Sequence, residues 1–503
     1  MVALITFILY TIAQYVVARI AGADHKSAAN SVSKSASFFR GDGRTPWPVI
    51  AYGMLGASLT GVTFISVPGN VWNQNFWYMP MVLGFMVGYV IIALVLLPLY
   101  YKMGLTSIYT YLDGRLGRSA YWTGNAFFFM SRMLGSAVRI YAVILVLTTF
   151  LPSALDLHLS PTLSFAAMAM LFIGLVYIIT YRSGVKSIIW TDALQTTFSL
   201  LAIVLGIVMI CRHMGWGITD VFANLHKGIN HNRLPDGSEV TGYGHAFTSW
   251  FDWRWAGATN AVKQFISGIV VTIAMTGLDQ SMMQKNLACK DLKSAQKNMY
   301  MTGAIIVAAN LLILILGALL CVFVSSRGGM EALGIGRTDE IFPMIASRRL
   351  GPVVSIFFIL GLLSASFPSA GAAMTSLTGS LYLHKGDDRE DVGRRKMVQG
   401  CVALMLFAVI MLFFLVSDDA VINLVYKLAS YTYGPLLGLF FFGILTKRQV
   451  SGWVAPTVSI LSPLICLTLN LVLRSSVGFD LGFSLLLVNG IITFAGLCIC
   501  SRR

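Results

Sequence analysis

Arg132 and Arg139 stand seven residues apart in a stretch made otherwise of apolar and small residues. Seven residues are close to two turns of α-helix, so both guanidinium groups fall on one face. A guanidinium fork binds carboxylate or phosphate bidentately, and this pair is a candidate reader of an anionic solute. Acidic groups sit in similar surroundings: Asp192 in IIWTDALQTT and Asp279 in FISGIVVTIAMTGLDQSMMQ. Lys263 stands two residues before the latter segment and Lys427 lies in another apolar run. Charges embedded this way are costly and commonly functional. Two accounts compete. In one, arginine and aspartate neutralise each other and the lysines snorkel to water. In the other, Arg132 or Arg139 reads an anion and Asp192 relays a cation inward.

A second chemistry is available from oxygen. The segment YGMLGASLTGVTFISVPGN carries Gly53, Gly56 and Gly61, hydroxyls at Ser58, Thr60, Thr63 and Ser66, and Pro68 at its end. Glycine and polar residues here, and Gly277, Asp279 and Gln280 in the Asp279 segment, invite breaks that bare backbone carbonyls, tolerated only inside protein or along a wet cavity. Such carbonyls can ligate a cation, and the ends of half-helices direct their dipoles at charged solute groups. A third segment, LLSASFPSAGAAMTSLTGSLY, adds Ser364, Ser366, Ser369, Thr375, Ser376 and Thr378, with Pro368 removing a backbone donor. The competing explanation for all three segments is close helix packing through small residues.

These groups have to be held by membrane helices. Of the 503 residues 56% are hydrophobic and only 11% charged, with mean hydropathy +0.75. A soluble domain carries about 25% charged residues, so a soluble globular protein is excluded. Thirteen apolar stretches are long enough to cross a bilayer as helices, near 2–20, 47–67, 79–101, 121–150, 161–180, 187–211, 258–282, 300–325, 352–383, 397–416, 421–445, 451–473 and 479–500. They are called spans 1 to 13 below. Span 1 lacks the basic start and small-residue cleavage site of a signal peptide and is expected to stay. The expectation is an all-α polytopic membrane protein in one domain. Its parts are 1–46 (first span and cytoplasmic loop), 47–212 (first repeat), 213–255 (external loop), 256–446 (second repeat) and 447–503 (two last spans). The two interrupted spans, 2 and 7, are five apart. Five is odd, so repeats that begin at them run in opposite directions through the membrane, as in many secondary transporters.

The net charge of +15 has a topological explanation. Placing the N-terminus outside and the C-terminus inside puts 23 of the 36 Lys and Arg residues in cytoplasmic connections, Lys285 among them. The four short external loops then hold only Arg474, in keeping with the positive-inside rule. A nucleic-acid partner is not expected, nor an obligatory protein partner. The location expected is the plasma membrane. The seven cysteines show no metal or disulfide spacing and read as reduced packing residues. His213, His226, His231 and His245 in the external loop suit no standard metal site. The chain has no HExxH or GxSxG, and GVKS around Lys186 lacks the first glycine of a phosphate-binding loop, so neither an enzyme nor an ATP-driven pump is indicated.

The chain resembles the sodium:solute symporter family over nearly its whole length. The residues that carry the resemblance are TFISVPGN after span 2, LPLYYKMGLTSIYTYLDGRLG after span 3, TYRSGVKSIIWTDALQ across spans 5 and 6, GLDQSMMQKNLACKDLKSAQKNM after span 7, TSLTGSLY in span 9 and SYTYGPLLGLFFFGILTKR in span 11. The resemblance implies a LeuT-type core of two inverted five-helix repeats, spans 2–6 and 7–11, with alternating access and entry of solute driven by sodium. It also implies a sodium site at the carbonyls of Gly56 and Leu59, with Ala365, Pro368 and Ser369 of span 9 as partners and Asp192 on the inward cation path. Solute contacts would come from Thr60, Thr63, Arg132, Arg139, Thr272, Met275 and Asp279. The family pattern has two adjacent hydroxyl residues where this chain has Pro368-Ser369, and relatives read SSAD where this one reads PSAG, so one hydroxyl ligand is missing.

The function expected is sodium-coupled import of a small organic solute such as a sugar, sugar acid or carboxylate, with sodium as coupling ion and no other cofactor. The alternatives are a proton-coupled transporter and a transporter-like sensor that binds solute without flux.

Overall fold

The computed structural model describes residues 5–16, 46–103, 109–154, 160–180, 185–217, 219–221, 249–382, 392–416 and 421–501. His226, His231 and His245 lie outside the described residues, as do several of the basic connection residues, Lys26, Arg40, Arg182 and Lys385 among them. Among the described residues ten helices are long and apolar enough to cross a membrane, and two bent helix pairs bring the number to twelve, against the thirteen expected. Ile5–Val16 is an apolar helix shorter than a crossing over its described part.

The two bent pairs fall on spans 2 and 7. Span 2 consists of Trp47–Ser58 and Gly61–Gln74, set at 60° to each other. Span 7 consists of Ala261–Gly277 and Gln280–Leu287, set at 72°. Span 2 therefore extends beyond the expected 47–67, and Pro68 lies within its second half instead of ending it. Pro68 is the eighth of the fourteen residues of Gly61–Gln74, so the half-helix continues through it without the bond that a residue-68 N–H would make to Phe64 O.

The other spans follow their apolar runs. Span 3 is Met79–Lys102, span 4 Arg118–Ala154, span 5 Pro161–Thr180 and span 6 Val185–Met214. Span 8 is Leu292–Ser326, span 9 Pro352–Tyr382, span 10 Val392–Val416 and span 11 Val421–Leu445. Val454–Val477 and Leu485–Cys500 are spans 12 and 13. Spans 4 and 11 have 72% of their apolar window buried against 17% for span 12, so the first two are posts of the core and the last faces lipid.

Small residues bring the helices close where the core is tightest. A Cβ on Gly268 of span 7 would collide with the carbonyl of Met81 in span 3, and one on Gly84 would collide with that of Phe265. This is the packing use of membrane glycine. Spans 3 and 7 each contain one π-turn, Ile92–Leu96 and Ile273–Gly277, and the two touch through Gly277 against Ile92 and Leu96.

The segment leading into span 7 is tied down by Asp252. Its carboxylate accepts from the Arg254 backbone N–H (3.0 Å), Arg254 Nε (2.9 Å) and Nη2 (3.1 Å), and Thr259 Oγ1 (2.6 Å). Burial pushes this carboxyl up, but the Arg254 and Thr259 hydrogen bonds outweigh it and hold it below the ordinary carboxylate value. Asn260 caps the helix that follows, its side chain accepting from the N–H groups of Val262 and Lys263.

Candidate functional site

The break in span 2 follows from one diverted hydrogen bond. Leu59 leaves the helix at ψ 74° and Thr60 is extended at ψ 167°. The N–H of Thr60, which would bond to Gly56 in a continuous helix, donates to Ser58 O at 3.0 Å instead. Gly56 O thus loses its helical donor, and Leu59 O lies in the gap between the half-helices. Both carbonyls accept from one group, the side-chain Nε2 of Gln195 in span 6, which reaches Leu59 O at 3.3 Å and also bonds Gly56 O. Gly56 must be glycine for a second reason: a Cβ there would lie 2.5 Å from the backbone oxygen of Asp192 and 2.5 Å from Thr196 Oγ1.

Asp192 lies one turn before Gln195. It is buried and bonded through Oδ2 to the ammonium of Lys285 at 2.5 Å. Lys285 belongs to the second half of span 7 and is itself buried, so its assignment to a solvated cytoplasmic connection is corrected. The bend turns the half-helix back into protein, where the charge needs a partner.

The break in span 7 is filled differently. The exposed carbonyls of Gly277 and Leu278 accept from the hydroxyls of Tyr100 (3.0 Å) and Tyr109 (2.9 Å). Asp279 opens the half-helix Gln280–Leu287: its Oδ1 accepts from the N–H groups of Ser281 (2.9 Å) and Met282 (3.1 Å) and from Ser281 Oγ (2.6 Å). Its Oδ2 accepts from Arg132 Nη1 at 3.1 Å, and Asp279 has no exposed surface. Asp279 is therefore a helix cap and counter-ion that stands behind the cavity wall.

Between the breaks lies a cavity of about 130 Å³. Of the expected residues it brings together Leu59, Thr60, Thr63, Arg132, Arg139, Asp192, Thr272, Met275 and Ser369. A second, much smaller cavity beside it is lined by Ala365, Ser369, Gly61 and Arg139. Gly56 contributes its carbonyl beside the cavity, and Pro368 lies in the span 9 helix between Ala365 and Ser369. The hydroxyls of Ser364 and Ser366 donate to carbonyls of their own helix, Gly361 O and Leu362 O.

Several lining residues were not anticipated: Gln195 at the carbonyls, Lys285, the aromatic wall of Tyr78, Phe85, Tyr89 and Tyr433, and Asn310. Gln195 carried one readable signal, its place three residues after Asp192 on the same helical face. Among the described residues, no group of three His, Cys, Asp or Glu could hold a metal ion. Charged groups number five here, with Arg132, Arg139 and Lys285 against Asp192 and Asp279. The excess of one positive charge suits an anion, and the oxygens at the span 2 break suit a small hard cation.

Residues 38–452 match the model of the sodium:solute symporter family. Among curated relatives, the sodium/sialic acid symporter SiaT of Proteus mirabilis is 22% identical over 89% of this chain and 85% of its own length. The sodium/sialic acid symporter NanT of Aliivibrio fischeri is 22% identical over 82% of this chain and 78% of its own. A solved structure of a Na⁺-coupled sialic acid symporter, substrate-bound and outward-open, superposes over 100% of this chain and 99% of its own with a TM-score of 0.78 at 17% identity. The nucleobase-cation-symport-1 transporter Mhp1 in a closed conformation gives 0.52 at 12% identity, covering 90% and 92%. The fold is thus the LeuT type, two inverted five-helix repeats that each begin with a broken helix. The chain belongs to the sodium:solute symporter family and is a sodium-coupled solute transporter, not an enzyme.

Proposed function

We propose that the solute is a small carboxylated sugar, imported with sodium through the cavity between the two breaks. What carries this reading is the composition of that cavity. Guanidinium groups of Arg132 and Arg139 share it with hydroxyls of Thr60, Thr63, Thr272 and Tyr433 and the amide of Asn310. Arginine suits a carboxylate, and hydroxyls, amide and aromatic faces suit a polyol ring. The relatives named for sialic acid transport support the same class.

Sodium is assigned to the bared carbonyls of Gly56 and Leu59, with Ala365 and Ser369 on the facing span 9 and Asp192 on the way inward. Residues 47–212 and 256–446 form the moving repeats. The protein sits in the plasma membrane, N-terminus outside and C-terminus in the cytoplasm, on the strength of the Lys and Arg distribution.

The test is uptake of labelled sialic acid into proteoliposomes with an inward sodium gradient, in competition with neutral sugars and simple carboxylates. Acidic sugars should compete best, and Arg139→Gln should raise KM for them far more than it lowers kcat. Equal competition by neutral and acidic sugars would refute the anion assignment. Uptake driven by a pH gradient and indifferent to sodium would refute the ion assignment.

A further inference from the structure

Span 11 carries a proline inside its helix, Pro435. Proline has no N–H, so Tyr431 O, four residues earlier, loses its helical donor, and the ring crowds the same carbonyl. A carbonyl left bare among membrane helices is costly and calls for another donor. Span 13 provides one. The side-chain Nδ2 of Asn489 donates to Tyr431 O at 3.3 Å and to Ser430 O at 2.9 Å, and Asn489 has no exposed surface. Glycines of span 11 make room for this contact. A Cβ on Gly434 would lie 2.4 Å from Asn489 Nδ2, and one on Gly438 would lie 2.4 Å from Thr493 Cβ. The hydroxyls of Thr493 and of Ser462 in span 12 meet at 2.7 Å, so the last two spans are joined to each other one turn beyond the amide.

The turn held in this way is the one that carries Tyr433. Ser430 to Gly434 make up about one turn of helix, and Tyr433 within it lines the cavity together with Arg132 and Arg139. We infer that Asn489 is a positioning residue for Tyr433. It replaces the hydrogen bond that Pro435 deletes and so fixes the turn from which Tyr433 meets the solute. Spans 12 and 13 stand outside the two inverted repeats, and through this one amide they shape the solute cavity. A packing role alone has a different consequence, because Asn489 then matters equally whether or not residue 435 can donate.

This inference rests on Tyr433 as a solute contact in the function proposed above, and the experiment separates the two. Asn489→Leu keeps the branching and approximate size of the side chain and removes its donors. Pro435→Ala returns a backbone N–H to Tyr431 O. Uptake of labelled sialic acid into proteoliposomes is measured at saturating sodium for wild type, each single variant and the double variant. In the wild-type background Asn489→Leu should raise KM at least fivefold with kcat within twofold. In the Pro435→Ala background the same change should move KM less than twofold. An equal rise in both backgrounds, or a fall in kcat at unchanged KM, overturns the positioning role. A second readout needs no solute: amide hydrogen exchange of the peptide covering 428–438 should quicken in Asn489→Leu, and the double variant should match Pro435→Ala. Unchanged exchange in Asn489→Leu overturns the inference as well. No uptake of acidic sugar by wild type, or an unchanged KM in Tyr433→Phe, refutes the solute reading instead, and the exchange result then decides the role of Asn489 alone. Should Asn489→Leu fail to fold, Asn489→Ala takes its place in the same cycle and is judged by the same outcomes.

Discussion

Asp192 and Lys285 join spans 6 and 7 through one buried contact, and that contact has a measurable worth. Their side chains are 2% and 6% exposed and meet at 2.5 Å. Removing one partner of such a pair strands the other charge away from water, at about 3–5 kcal/mol. Replacing both by uncharged groups of similar size is roughly neutral or mildly stabilising. Asp192→Asn and Lys285→Met should therefore each destabilise strongly, whereas the double variant should recover most of the loss, an interaction energy on the order of 3 kcal/mol. With an unfolding entropy of about 2.1 cal/mol/K per residue, a chain of this length loses about 1 °C of Tm per kcal/mol, so each single variant should melt about 3–5 °C lower. Thermal unfolding in detergent, followed by tryptophan fluorescence in sodium-free buffer, reads this directly. Singles within 1 °C of wild type, with an additive double, would refute the claim that the pair is shielded from water.

Three other outcomes follow from single contacts. Tyr109→Phe leaves Leu278 O without its hydroxyl donor and should cost about 1–3 kcal/mol, with weaker solute binding because the half-helix carrying Ser281 and Lys285 loosens; wild-type stability and affinity would count against the capping role. Gly268→Ala drives a methyl into the Met81 carbonyl and should cost at least 1–3 kcal/mol, seen as reduced yield and Tm, whereas Gly174→Ala, with open space around it, should not. Asp252 gives a pH signature: its carboxyl sits below its unfolded value of about 3.9, so its contribution is complete above that value and is lost as pH falls through the lower, folded one. Asp252→Asn should flatten that part of the acid dependence of Tm below pH 4 and leave neutral pH behaviour unchanged in slope; an identical acid limb would show that the carboxylate contributes nothing there.

The helices and the two breaks were legible because they violate a rule that the bilayer enforces strictly. Gly56, Thr60 and Gly61 interrupt an apolar run, and so do Gly277, Asp279 and Gln280, and the chain bends between Ser58 and Gly61 and between Gly277 and Gln280. Arg132 and Arg139 stood out as charges within an apolar run, whereas Thr60, Thr63, Thr272 and Met275, which share their cavity, were named only through the family resemblance. The pairings were not. Gln195 meets Gly56 across 139 positions, and no periodicity within span 6 reports the register of its neighbour. Lys285 looked like an ordinary basic residue after a span because its burial depends on the 72° turn that precedes it. Arg132 allowed two readings, partner of an aspartate or reader of an anion, and neither the one-face rule nor composition could show that its Nη1 meets Asp279 while the residue also lines the cavity.

The two breaks are related by the repeat but are not equivalent in chemistry, and the difference assigns their work. At span 7 each bared carbonyl takes a tyrosine hydroxyl, the new helix start takes Asp279, and Asp279 takes Arg132. Both carbonyls and the new helix start thus meet complementary partners, and the one orphaned group, Arg132 Nε, lies at the far end of the chain of contacts. At span 2 both carbonyls share one amide whose second end is unsatisfied. Sodium in the place proposed for it would have to displace that amide from the carbonyls, so its affinity would differ between the capped and the vacated break. Only such a difference lets an ion shift a conformational equilibrium. The span 7 break therefore has the character of a fixed platform beside the cavity, while the span 2 break is where, in the function proposed, sodium binding would be coupled to movement of one repeat against the other.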